Sequence, residues 1–141
     1  MVDQEEQFDS VFNKFCTWLE DELKIVGNTL PGHHFNGSPK FTFVTCGDWD
    51  LNYMLPNQCS TSQIILPDYF RQWINVKKSF AMSSGAGKFP RSLSEMLNDL
   101  GLVFDGRPHS GIDDVKNIVK IVQTLSKERC YVFENTTSKP Y

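Results

Sequence analysis

The sequence predicts an α/β fold on three observations: helical periodicity near both ends of the chain, a β-branched and aromatic run between them, and a helix expected directly after that run. In order, Phe8, Val11, Phe12, Phe15, Trp18, Leu19 and Leu23 recur at three-and-four spacing and predict an amphipathic helix over residues 9–24. Glycines, prolines and asparagines between 27 and 39 predict a loop. Residues 41–46 have the composition of a buried strand ending at Gly47, and residues 48–55 read as a short helix stopped by Pro56. A helix is predicted over 68–73, a loop over 82–90, and a capped helix from Ser92 to Leu100 closed by Gly101. The apolar face Ile112, Val115, Ile118, Val119, Val122 and Leu125 predicts the last helix, residues 129–133 a last strand, and residues 135–141 a tail. Two strands rarely stand alone, so this reading leaves strands unaccounted for.

The chain has 141 residues and reads as a single domain, 1–141, with 40% hydrophobic residues, enough to form a core. Fourteen basic and seventeen acidic side chains give a formal net charge of −3, which disfavours a partner held by a globally basic surface. No apolar run approaches the roughly 20 residues of a spanning helix, and no basic stretch followed by an apolar one opens the chain. The expectation is an intracellular protein, cytoplasmic or nuclear, without a membrane partner. Cys16, Cys46, Cys59 and Cys130 show no zinc spacing and are expected to be reduced thiols.

Two segments carry candidate chemistry. Asp48 and Asp50 follow the predicted strand 41–46, the end of an α/β sheet at which ligands bind, and carboxylates there suit a hard cation. The competing reading makes Asp48 a helix cap and places Asp50 in the first turn. Arg107, His109 and Asp114 lie around the start of the last helix, where an imidazole can transfer protons and the helix end favours phosphate. Here the alternative is an exposed loop histidine followed by ordinary first-turn acids. Residues 85–88, Gly-Ala-Gly-Lys, lack a phosphate loop's glycine at Met82 and its hydroxyl at Phe89. His33 and His34 have no ligand partner at metal spacing, so a solvated pair is expected.

The segments Thr45-Cys46-Gly47-Asp48-Trp49-Asp50-Leu51 and Gly106-Arg107-Pro108-His109-Ser110-Gly111-Ile112-Asp113-Asp114 resemble the second and third motifs of DEDDh-type 3′-to-5′ exonucleases. The likeness is strongest to the eukaryotic branch that trims histone-mRNA ends, small interfering RNA and ribosomal RNA, and runs nearly the whole chain from Phe8. It implies a ribonuclease H-like domain, with Asp50 and Asp114 as metal-binding carboxylates and His109 as general base. It further implies two Mg²⁺ or Mn²⁺ ions gripping the 3′-terminal phosphodiester of single-stranded RNA. Trp49, Leu51 and Arg107 become candidates for contacting substrate, with a core role equally open for Trp49. The family's first motif, an Asp-x-Glu on the first strand, has one literal match, Asp3-Gln4-Glu5, in a polar segment without strand character. The resemblance therefore implies a partial domain lacking its N-terminal strands. The alternative is a non-catalytic module that binds RNA or a protein partner.

Overall fold

The computed structural model describes residues 6–25, 41–85 and 87–138. Strand β1 (Phe43–Thr45) runs parallel to β2 (Gln72–Asn75), which pairs antiparallel with β3 (Thr136–Thr137). Phe43 faces Trp73 across the ladder, Val44 faces Ile74 and Thr45 faces Asn75. Parallel neighbours need a crossover. Here it holds a π-helical turn (Asp50–Met54), helix α2 (Leu55–Thr61) and a 3₁₀ turn (Asp68–Arg71). The other helices are α1 (Phe8–Ile25), α3 (Val76–Ser83), α4 (Leu93–Asp99) and α5 (Gly111–Glu128).

Alternation along β1 sends its side chains into two apolar layers. Phe43 packs with Phe12, Leu19 and Leu23 of α1 and with Tyr69, Phe70 and Trp73. Its ring stacks on Phe70 at 4.9 Å and 4°. Val44 and Cys46 pack into the second layer, with Val76, Phe80, Met96, Leu97, Ile121 and Leu125. The start of α5 is thereby brought toward the end of β1. Each fully buried side chain of this size contributes about 1.5–3 kcal/mol.

The α/β class and the helices near both ends match the expectation, and several elements differ. Residues 68–73 form a turn leading into β2 rather than a helix, and residues 129–133 form no ladder, the pairing falling instead at Thr136 and Thr137. The helix expected to stop at Pro56 runs through it, the π-turn passing directly into α2 with Pro56 in its first turn. Of the expected α5 face, Ile118, Val122 and Leu125 pack inward with Asn117, Ile121 and Thr124, while Ile112, Val115 and Val119 stand exposed. Ser92 caps α4 as expected, its Oγ accepting the Glu95 N–H at 3.1 Å, but the Glu95 carboxylate answers to the Arg91 N–H at 2.7 Å. All four cysteines are unpaired. Among the described residues, no helix is long and apolar enough to cross a membrane. The expectations for the 27–39 loop, His33, His34, Asp3 and Glu5 fall largely or wholly outside the described residues.

Candidate active site

Asp48 and Asp50, two residues apart, have different tasks. The Asp48 carboxylate does not cap a helix. Its Oδ1 accepts from Trp73 Nε1 at 3.0 Å and Asn75 Nδ2 at 2.8 Å, and its Oδ2 pairs with Lys78 Nζ at 2.9 Å. Burial pushes this carboxyl upward, but hydrogen bonds from Lys78, Trp73 and Asn75 outweigh it and hold Asp48 below the usual carboxylate range. Asp48 thus ties the segment leaving β1 to β2 and α3. That anchor leaves Asp50 exposed at the first position of the π-turn.

The second segment is held as firmly. Asn117, fully buried on α5, accepts the Asp105 N–H at 3.0 Å and donates to the Asp105 carbonyl at 2.9 Å and the Asp113 carbonyl at 2.8 Å. Asp113 Oδ2 accepts the Arg107 N–H at 3.1 Å, and this bond leads the causes that hold the Asp113 carboxyl low. Gly106 has φ +92°, and a Cβ there would overlap the Asp113 carboxylate, so only glycine fits. The loop so locked presents His109 exposed at φ +66°, a left-handed conformation uncommon for a residue with a side chain. Asp114 follows, half-buried in the first turn of α5.

Cys46 connects the two segments. Burial raises its thiol most, Asp50 and Asp114 each raise it further, and Lys77 opposes them. Trp49 projects into solvent, 67% exposed, which removes the core reading for it. Leu51 is turned inward, 9% exposed among the α1 layer, which corrects the expectation that it faces a substrate. The Arg107 side chain is exposed beside His109.

The sequence matches the Exonuclease (RNase_T) family over residues 1–122. The chain belongs to that family. It is 41% identical over 142 residues to ERI1 exoribonuclease 3 of Homo sapiens, covering 100% of this chain and 38% of that protein. With 3'-5' exoribonuclease 1 of Homo sapiens it shares 33% identity over 129 residues, 92% of this chain and 34% of the relative. Among solved structures, the nuclease domain of 3'hExo, a DEDDh family member bound to rAMP, superposes with a TM-score of 0.71 at 31% identity. That superposition covers 94% of this chain and 62% of the other. A 3′-exonuclease solved in recognition of histone mRNA stem-loop gives 0.70 at 28% identity, over 98% of this chain and 47% of its own. The chain thus spans well under half the length of these curated relatives.

Exonucleases of the DEDDh kind are generally divalent-metal dependent. Asp50 and Asp114 offer the hard oxygen donors such an ion takes, and a Mg²⁺-like ion keeps several waters beside one or two carboxylates and a substrate phosphate. Among the described residues, no three His, Cys, Asp or Glu side chains gather closely enough to hold an ion by themselves.

Proposed function

We propose that Asp50, His109 and Asp114 form part of a 3′-to-5′ exoribonuclease site acting on the 3′ ends of single-stranded RNA. The reading is supported by the apolar layer that Cys46, just past β1, shares with Ile118 and Ile121 of α5, the helix whose first turn carries Asp114, and by His109 on a locked loop five residues before Asp114. Asp50 and Asp114 would hold Mg²⁺ or Mn²⁺. A bound divalent ion lowers the pKa of the attacking water and offsets charge on the phosphodiester. The His109 imidazole takes the water's proton, acting as general base. Arg107 contributes a fixed positive charge for the phosphate, and Trp49 a ring on which a base stacks. A 5′-labelled single-stranded RNA resolved to the nucleotide tests the reading. Joined to an N-terminal segment supplying an Asp-x-Glu strand, the chain shortens RNA stepwise from the 3′ end in Mg²⁺ or Mn²⁺. His109→Ala or a chelator abolishes the shortening. Intact RNA with that folded chimera refutes the reading.

A second reading is favoured by the missing third metal ligand among the described residues. In it, the 141 residues alone bind RNA or a protein partner without cleaving. It is supported if the unextended chain binds RNA yet trims it orders of magnitude more slowly, and fails if both forms trim at similar rates.

A further inference from the structure

The inference rests on the exonuclease reading above and concerns Tyr53. The turn that carries Asp50 is not an ordinary helix: the Leu55 N–H reaches back to the Asp50 carbonyl, five residues earlier. Such widened turns recur at functional sites, and side chains four apart lie on one helical face. The pair so aligned is Trp49 and Tyr53. Their rings lie 5.4 Å apart at 31°, yet they remain 67% and 46% exposed. Beneath them Leu51 is anchored in the core, so the turn holding both rings is fixed from its inner side. Asp50 lies between them in sequence, one residue from Trp49 and three from Tyr53.

Both rings keep exposed surface beside Asp50, Trp49 at 67% and Tyr53 at 46%. Stacking on an aromatic ring needs no particular base, because every base has a π-face, and this suits an enzyme that must accept whatever nucleotide comes next. Neither ring is consumed by the core, and neither has a charge to pair. We propose that Tyr53 is a substrate-binding residue that extends the Trp49 surface, so that two consecutive bases near the RNA 3′ end are stacked beside Asp50.

The experiment uses the full chain carrying His109→Ala, which prevents turnover, and fluorescence anisotropy of 5′-labelled octamers of rU and rA. Adding Tyr53→Ala weakens binding roughly 5- to 100-fold, the range that loss of one stacking ring implies. Tyr53→Phe keeps the parental affinity within about twofold, because the π-face and not the hydroxyl carries the contact. Melting temperatures are unchanged, since Tyr53 is not in the core. Octamers with an abasic unit at each of the last three positions locate the contact. One of those positions weakens the parent but not Tyr53→Ala. Parental affinity in Tyr53→Ala, or equal losses in the Ala and Phe variants, overturns the proposal and leaves the exonuclease reading standing. A folded parent that binds neither octamer removes both.

Discussion

Replacing Asp48 by alanine tests how the segment bearing Asp50 is held. Three partners lose their acceptor at once: Trp73 Nε1, Asn75 Nδ2 and Lys78 Nζ. Trp73 and Asn75 are almost fully buried, so each N–H would be left without a partner away from water. Each such orphan costs about 1–3 kcal/mol. The partly exposed Lys78 pair adds at most about 1 kcal/mol, and the three do not add fully because they share one carboxylate. The expected loss is about 3 kcal/mol, read as a lower urea midpoint at constant slope. Asp48→Asn keeps one oxygen for Trp73 and Asn75, loses the charge and the acceptor for Lys78, and costs about 1 kcal/mol. Acid separates the two further. Asp48 titrates below its unfolded value, so its charge-dependent stabilisation is complete above about pH 4 and is lost as pH falls through the folded pKa. The gap between wild type and Asp48→Asn therefore closes on acidification. Equal midpoints for wild type and Asp48→Ala, or a gap that widens below pH 4, refute the reasoning.

Gly106→Ala costs about 1–3 kcal/mol through its positive φ and its overlap with Asp113, and raises hydrogen exchange at the Arg107 amide; unchanged exchange there contradicts the lock. Ser92→Ala lowers thermal stability by about 1 kcal/mol through loss of the α4 cap, checked by melting, while Ser92→Gly costs only a few tenths. Asp50→Asn leaves the urea midpoint within about 0.5 kcal/mol of wild type, because the exposed carboxylate makes no hydrogen bond among the described residues, yet abolishes RNA trimming in the extended chimera. A variant that trims normally dissociates Asp50 from the chemistry.

The helices were the legible part of the sequence, because α1 and α4 carry their own periodicity and cap. β2 was not, since Gln72-Trp73-Ile74-Asn75 is a strand only through pairing with Phe43–Thr45, a contact no local pattern encodes. The expected α5 face holds in part, with Ile118, Val122 and Leu125 packed into the second layer while Ile112, Val115 and Val119 stand exposed. The apolar pattern gave no sign of Asn117, which is polar yet buried with its amide satisfied by Asp105 and Asp113. Among site residues, Asp50, His109 and Asp114 were named from the motifs, and Asp48 was misread because its partners lie on a strand the pattern did not reveal. Gly106 was quoted within the motif without its role, which the structure shows: it lies seven residues before Asp113 and lets the loop fold back on the start of α5.

The central claim is that Asp50, His109 and Asp114 address one point in space. Backbone amide spectra recorded while Mn²⁺ is added in the presence of AMP test it most directly, because a bound paramagnetic ion broadens whatever lies near it. The account predicts that resonances of residues 46–51 and 109–115 disappear together, and that Asp50→Asn or Asp114→Asn protects both groups at once. Broadening confined to one of the two segments, or two responses that the variants switch off separately, contradicts it.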